Sequence, residues 1–124
     1  MQCIAYNFGE KVKHLDTQRK KGVLDVCVLA VLAKGPSYGY KIVGDVSQCI
    51  EISESTLYPI LRRLEASGCL ATEQHRHGGR TRKYFQLTPA GQGRIQEFLA
   101  EWEEMQGIYH FVAENSKEEQ NGPQ

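Results

Sequence analysis

The longest apolar run in the sequence covers residues 23–33 and contains a single charged residue, Asp25. Continuous hydrophobicity does not distinguish a buried helix from a buried strand, so the length of the run and the way it ends must decide. A run of about eleven residues followed by Lys34, Gly35 and Pro36 is typical of a helix. Lysine is favourable in a last helical turn, and glycine followed by proline stops a helix. The run therefore predicts a core helix.

A second helix is predicted over residues 38–48, with Ser37 as its N-cap. Ile42, Val43 and Val46 form an apolar stripe at helical spacing. Gly39 and Gly44 weaken this helix, because each glycine costs roughly 1 kcal/mol relative to alanine. We expect both glycines to mark close packing against a neighbouring element.

The third helix is predicted over residues 53–67, from an apolar face that consists of Leu57, Ile60, Leu61 and Leu64. Ser53 is a good N-cap, but Pro59 would then lie beyond the first turn and should bend the helix. If Thr56 is the cap, Pro59 lies among the free amides at little cost. The sequence does not choose between these starts.

After Gly68, residues 70–74 and 82–87 are predicted to form two short strands. They flank the segment HRHGGR at residues 75–80, whose tip is Gly78 and Gly79. We call this predicted hairpin the wing. The fold class is therefore mainly α with a small β-hairpin, a winged helix-turn-helix followed by a long C-terminal dimerisation helix.

The last helix is predicted to start at Thr88 and Pro89, a cap followed by proline at the first helical position. Its apolar residues step by 3, 4, 3, 4 and 3 along one seam, at Ile95, Phe98, Trp102, Met105, Tyr109 and Val112. Such a seam is typical of a coiled coil, so we expect a homodimer. The predicted dimer interface is this seam together with Leu99.

These elements divide the 124 residues into four predicted segments. They are a partly helical N-terminal extension (1–20), a winged-helix DNA-binding domain (21–88), the C-terminal dimerisation helix (89–115) and a disordered tail (116–124). The packing of residues 1–20 is left open.

Charge is distributed unevenly along a chain that is neutral as a whole. Up to Leu87 there are 13 basic and 8 acidic residues, whereas the remainder has 2 basic and 7 acidic residues. A basic front and an acidic rear would orient the molecule on a polyanion.

Other classes of function find little support. No nucleophile-elbow pattern or P-loop occurs, so we do not expect an enzyme, and no cofactor is predicted. No apolar run is long enough to cross a membrane, and no secretory segment opens the chain. Cys3, Cys27, Cys49 and Cys69 lack CxxC spacing and indicate plain thiols, with a redox role left open and no metal site expected. We expect a soluble, cytoplasmic protein.

The polar face of the third helix and the wing are the candidate nucleic-acid surface. Hydroxyl residues at a helix start can reach bases or phosphates, and a basic, acid-free turn tipped by glycines can approach a groove closely. An ordinary solvated helix with surface arginines remains the alternative for the helix alone. The predicted DNA-binding residues are Ser37, Tyr38, Lys41, Ser55, Thr56, Tyr58, Arg62, Arg63, Arg76, His77, Gly79, Arg80, Arg82 and Lys83.

Three blocks of the sequence resemble a known family. They are GPSYGYKI at residues 35–42, TLYPILRRLE at 56–65 followed by Gly68, and GRTRKYFQLTPAG at 79–91. In this order and spacing they are similar to the signature blocks of the PadR family of bacterial transcription regulators, over roughly residues 21–112. The resemblance implies a recognition helix at 53–67, a wing tip at 75–82, a homodimer made by the C-terminal helix, and repression of genes for stress response, detoxification or efflux.

The single long C-terminal helix resembles the compact subfamily of these regulators. In some of its members, a tryptophan on this helix pairs with its symmetry mate around flat hydrophobic ligands. The resemblance implies that role for Trp102. The alternative is a place in the dimer core, where an aromatic residue at a seam position more often lies.

The leading hypothesis is a dimeric repressor that binds a pseudo-palindromic operator in double-stranded DNA and is released by a small hydrophobic ligand or another signal. The alternative is a winged-helix adaptor for protein partners that does not bind DNA. Binding to duplex DNA with a steep salt dependence would separate the two.

Overall fold

The computed structural model describes residue 12 and residues 14–121. Four helices and one hairpin follow one another along the chain. They are α1 (Thr17–Leu32), α2 (Gly39–Val46), α3 (Glu54–Ala66), β1 (Leu70–His77), β2 (Arg80–Leu87) and α4 (Pro89–Asn121). The predicted mainly α architecture with one hairpin and a long last helix is confirmed. Most of the predicted N-terminal extension, with Cys3, lies outside the described residues.

Helix α1 begins well before the apolar run that predicted it. The Asp16 side chain caps the helix by accepting a hydrogen bond of 2.9 Å from the Arg19 amide. The helix is continuous across residues 20 and 21, where the sequence places a boundary between extension and domain. Polar residues 17–21 supply no apolar periodicity, so the pattern alone detects only the buried half of the helix.

The predicted cap of α2 is wrong. Tyr38, not Ser37, is the N-cap, and it makes no side-chain capping bond. Ser37 instead forms an isolated antiparallel bridge with Phe85 of β2, in which Ser37 N donates to Phe85 O at 3.0 Å and Phe85 N donates to Ser37 O at 2.7 Å. This bridge holds Ser37 in extended backbone, so the helix starts after it.

The two possible starts of α3 are resolved in favour of Ser53. Its hydroxyl accepts a hydrogen bond of 3.3 Å from the Thr56 amide, which is a standard N-cap arrangement. Pro59 consequently lies inside α3. The predicted apolar face of Leu57, Ile60, Leu61 and Leu64 is buried.

The wing strands are longer than predicted and pair antiparallel from Leu70↔Leu87 to His77↔Arg80. The two residues between them, Gly78 and Gly79, have φ values of 53° and 80°. Positive φ at both central residues is what a two-residue type I′ hairpin turn requires, and glycine adopts it without steric cost. The basic segment is therefore strand almost to its tip, rather than a loop.

Helix α4 continues to Asn121 and so passes Ser116, the predicted start of a disordered tail. Residues 116–121 contain neither glycine nor proline, so no residue of this stretch interrupts the helix. Polarity alone therefore places the end of this helix too early.

One core joins all the elements. Its buried apolar residues are Leu24, Val28, Leu29, Leu32, Ile42, Val46, Ile50, Ile52, Leu57, Ile60, Leu61, Leu64, Cys69, Leu70, Phe85 and Ile95. Because α3 buries one face in this core and β2 contributes Phe85 to it, the outer face of α3 and the wing are held on one body.

Candidate nucleic-acid interface

The solvent-facing side of α3 carries polar residues that were predicted to bind DNA. Ser55, Thr56, Tyr58 and Arg62 are exposed. The hydroxyls of Ser55 and Thr56 lie 3.1 and 3.2 Å from the Ser53 hydroxyl, so the start of α3 presents a linked group of three hydroxyls. Such a helix start offers donors and acceptors for phosphate or base edges.

Tyr58 links α3 to the start of α2. Its ring and hydroxyl lie directly over Gly39, where a Cβ would clash with the hydroxyl and come within 2.9 Å of the ring. The expected close packing is confirmed for Gly39. For Gly44 it is wrong, because a Cβ there would meet nothing within 4 Å.

A groove of about 610 Å³ runs between the start of α2, the outer face of α3 and β2 of the wing. Its lining residues are Tyr38, Gly39, Tyr40, Tyr58, Leu61, Arg62, Glu65, Arg80, Thr81, Arg82, Lys83 and Phe85. Tyr40 was not predicted, although its side chain is 75% exposed at the edge of the groove. The sequence feature that could have indicated Tyr40 is its place next to Lys41, on the polar side of α2.

Near the wing tip, Arg76 and Arg80 are exposed on opposite strands, Arg80 directly after the two glycines and Arg76 two residues before them. Within the described part of the chain no acidic side chain pairs with them. Lys83 is also exposed, with its ammonium 5.4 Å from the centre of the Phe85 ring. The backbone of His77 ends β1 beside the turn. These positive charges remain available to an anionic partner.

Arg82 and Tyr38 are placed differently from the other predicted DNA contacts. The Arg82 guanidinium carbon lies 4.1 Å from the centre of the Tyr38 ring, and the Tyr84 ring packs edge-on against Tyr38 at 5.5 Å. Both Arg82 and Tyr38 are half-buried. They contact each other rather than projecting into solvent.

Ser37 is a correction to the predicted DNA-binding set, and Arg63 is already paired within the fold. The Ser37 side chain is 5% exposed and its hydroxyl faces the interior, so it does not reach the surface. Arg63 turns away from the groove, and its Nη2 lies 2.5 Å from Oδ1 of Asp25 on α1. Lys41 forms an exposed pair at 3.2 Å with Asp45, one turn along α2.

The predicted dimer seam divides into two parts along α4. Ile95 is 9% exposed and belongs to the core of its own chain, so its assignment to a dimer interface is wrong. Beyond it, Leu99, Trp102, Met105, Tyr109 and Val112 are exposed. Ile108 and Phe111 are exposed as well, and the strict 3-4 spacing missed them because neither position falls on it.

A second groove, of about 630 Å³, lies between α1 and α4. Its apolar wall includes Val23, Val26, Phe98, Trp102 and Met105. The rings of Phe98 and Trp102 are nearly parallel, at 10°, with their centres 6.3 Å apart. Trp102 is 54% exposed, so its ring is available to a partner or a ligand.

The cysteines and acidic residues provide no further candidate site. Among the described residues no three histidine, cysteine or acidic side chains come together as a metal site would require. Burial, reinforced by the neighbouring Cys49 thiol, raises the pKa of Cys27 to about 11.

No helix in the described ranges is both long and apolar enough to span a bilayer.

A recognition-type helix, a basic hairpin beside it and a shared groove define the class of winged-helix proteins. The class alone does not say which family this chain represents.

Comparison with known proteins supplies the family. Residues 28–97, more than half of the chain, match the Transcriptional regulator PadR-like family. Transcriptional regulator Rv3488 of Mycobacterium tuberculosis is 44% identical over 54 residues, which are 44% of this chain and 50% of that protein.

Solved structures agree with this assignment. A PadR-like transcription factor from Bacteroides fragilis superposes with a TM-score of 0.70 and 32% identity, over 77% of this chain and 95% of that one. Bacillus subtilis PadR, in complex with operator DNA, superposes with a TM-score of 0.59 and 27% identity, over 62% of this chain and 46% of that one. The chain belongs to the PadR-like family, and it is a transcriptional regulator rather than an enzyme.

Proposed function

We propose that this regulator is a dimeric repressor that binds a pseudo-palindromic operator and is released when a small hydrophobic ligand binds at the dimer centre. The observation that carries the proposal is the shared groove, which has the outer face of α3 on one side and a basic wing on the other. The similarity to Bacillus subtilis PadR, whose structure was solved in complex with operator DNA, supports DNA as the partner.

In this proposal α3 enters the major groove of DNA. The three hydroxyls at its start and Tyr58 approach base edges and phosphates, while Arg62 meets the phosphate backbone. The wing lies along the adjacent backbone, with Arg76, Arg80 and Lys83 directed at phosphates. Acidic residues concentrated on α4 keep the rear of the molecule away from the polyanion.

The proposed dimer forms along α4. A helix of 33 residues is about 50 Å long. Within one chain, the other elements bury the apolar side chains of only its first turns. The exposed apolar set from Leu99 to Val112 would be covered by the same set of a second copy. Two recognition helices would then face successive major grooves about 34 Å apart.

The proposed ligand site lies at the groove between α1 and α4. Trp102 has an exposed aromatic face there, next to the stacked Phe98 ring, and a flat hydrophobic molecule could insert between the two copies of Trp102. Such a ligand would release DNA only if it binds more tightly to a dimer in which the two α3 helices are spaced differently from the DNA-bound dimer.

The test of DNA binding is an anisotropy titration of a labelled duplex at several salt concentrations. A regulator that uses this face should bind with a steep negative salt slope and should select one pseudo-palindromic sequence from a random pool. Affinity that stays negligible at low salt would contradict the proposal and favour the adaptor.

The test of the dimer is sedimentation velocity on a matched pair of variants. Met105→Glu places a charge in the exposed seam, whereas Ala100→Glu places one on another exposed face of the same helix. We expect the first to dissociate the dimer and to weaken operator binding, and the second to change neither. A monomeric wild-type chain that binds the operator tightly would refute the dimer.

For the ligand, Trp102→Ala should abolish the binding of planar hydrophobic probes such as Hoechst 33342, measured by the probe's own fluorescence. Binding of the same strength to the variant would remove Trp102 from the site.

A further inference from the structure

The base of the wing is well anchored. Leu70 and Phe85 are buried in the core, the Thr72 hydroxyl donates a hydrogen bond of 3.2 Å to the Glu65 carboxylate on α3, and Ser37 forms a backbone bridge with Phe85. The outer half of the wing lies beyond these contacts. A two-stranded hairpin has marginal stability on its own in water. Something else must fix the direction of its outer half if the wing and α3 are to act on DNA as one surface.

One face of the hairpin carries a cluster that can do this. Arg82 and Tyr84 are two residues apart on β2 and therefore point to the same side of the hairpin. Tyr38, at the start of α2, contacts both side chains. The centre of its ring lies 4.1 Å from the Arg82 guanidinium carbon and 5.5 Å from the centre of the Tyr84 ring. The cluster connects the helix-turn-helix to the wing through side chains alone.

The cluster extends across to β1. His75 is the register partner of Arg82, and Glu73 is the partner of Tyr84, so all four side chains share one face. The His75 ring lies 4.7 Å from the Tyr84 ring, and His75 Nε2 lies 3.3 Å from the Glu73 carboxylate. Both strands of the wing are thus tied to Tyr38.

Arg82 supports the wing at a point farther from its base than the backbone bridge does. Arg82 is three residues nearer the tip than Phe85, which corresponds to about 10 Å of strand. The support therefore reaches beyond the backbone bridge, towards Arg80 and Gly79. Arg82 is also half-buried, whereas its strand neighbours Thr81 and Lys83 are exposed.

From these contacts we propose that Arg82 and Tyr38 are positioning residues, whose cation–π contact sets the angle of the wing relative to the recognition helix. Arg82 then acts on DNA through the wing rather than through a phosphate. This inference rests on the proposed DNA-binding function, and it assigns to Arg82 a role different from those of Arg76, Arg80 and Lys83.

The contact itself is tested without DNA. The Tyr38 ring should shift the Arg82 side-chain protons upfield in the NMR spectrum of the full-length chain. We expect this shift to persist in Tyr38→Phe, which keeps the ring, and to vanish in Tyr38→Leu. An unshifted Arg82 in the wild-type spectrum, or an equal shift in Tyr38→Leu, would overturn the proposal whether or not the protein binds DNA.

The role on DNA is tested by a double-mutant cycle of Arg82→Gln and Tyr38→Leu, with circular dichroism to establish that each variant is folded. Each single variant should weaken operator binding by roughly threefold to tenfold, and the double variant should be no weaker than either one. The salt slope should stay at the wild-type value, whereas Tyr38→Phe should bind like wild type.

A phosphate contact predicts a different pattern. In that case Arg82→Gln would reduce the salt slope by about one. Its loss of operator affinity would add to the loss of affinity caused by Tyr38→Leu. Either result would overturn the positioning role while leaving the DNA-binding proposal intact. Conversely, a wild-type chain that does not bind duplex DNA but keeps the shifted Arg82 protons would refute the proposed function alone.

Discussion

The Arg63 guanidinium on α3 lies 2.5 Å from the Asp25 carboxylate on α1, and Arg94 on α4 approaches the other oxygen of the same carboxylate at 3.6 Å. One acidic side chain, only 12% exposed, thereby joins three helices. Asp25 is the charge that interrupts the apolar run of α1. The interruption has a structural reason, because a carboxylate in this position can be buried only with partners.

We expect Asp25→Asn to lower the free energy of unfolding by about 1–3 kcal/mol, because it leaves two guanidinium groups close together without a counter-charge. The Arg63 side chain is 50% exposed, so water compensates part of the loss and the effect stays below that for a fully buried pair. Urea denaturation would measure it. The matched control is Asp45→Asn, which breaks only the exposed pair with Lys41 and should cost about 0.5 kcal/mol or less.

Two glycines of α2 should respond in opposite ways to alanine. Gly39→Ala would push the Tyr58 ring out of its place, so we expect a loss of about 1–3 kcal/mol in stability and weaker DNA binding. Gly44→Ala meets open space and should stabilise the helix by up to about 1 kcal/mol. Thermal melts and duplex titrations of both variants check this, and equal effects at the two positions would contradict the close contact.

Arg80 and Arg63 should also behave differently, although both belong to the predicted DNA-binding set. Arg80→Gln removes an exposed wing charge, so the salt slope of DNA binding should fall by about one with unchanged stability. Arg63→Gln should lower stability and leave the salt slope unchanged, because its guanidinium is engaged with Asp25. Lys117→Gln, on an exposed part of α4, is the control for a general loss of positive charge. A reduced slope in Arg63→Gln would show that Arg63 reaches phosphate after all.

The Cys27 thiol should resist alkylation at neutral pH. Its pKa is raised from 9.0 to about 11, first by burial and then by the adjacent Cys49 thiol, so the reactive thiolate is scarce. We expect iodoacetamide to modify the exposed Cys49 before Cys27, as peptide mass spectrometry would detect. Rapid modification of Cys27 at pH 7 in the folded protein would contradict its burial.

The same raised pKa gives a pH dependence of stability. A thiol whose folded-state pKa lies above its unfolded-state pKa stabilises the fold below the lower value, and the contribution is lost as the pH rises through the higher one. The difference in melting temperature between wild type and Cys27→Ala should therefore narrow between pH 9.0 and about 11. A constant difference across this range would refute the shift.

Local pattern was sufficient for most of the fold. Apolar spacing located the buried face of α3, and the glycine pair located the turn of the wing. These features depend on residues close to one another in the chain, and this is the range over which periodicity and turn chemistry act. The bounds of α1 and α4 were missed because polar residues extend both helices without any apolar signal.

The sequence by itself determined that a basic helix and a basic hairpin follow one another, and that a long apolar-seamed helix comes after them. Only the tertiary structure decided which of the basic residues remain available to a partner. Arg63 is paired with a residue 38 positions away, and Arg82 stacks on a ring in another element. The sequence does not distinguish one arginine of this region from another. Their roles depend on contacts between distant segments, because these contacts form only when the chain packs into one core.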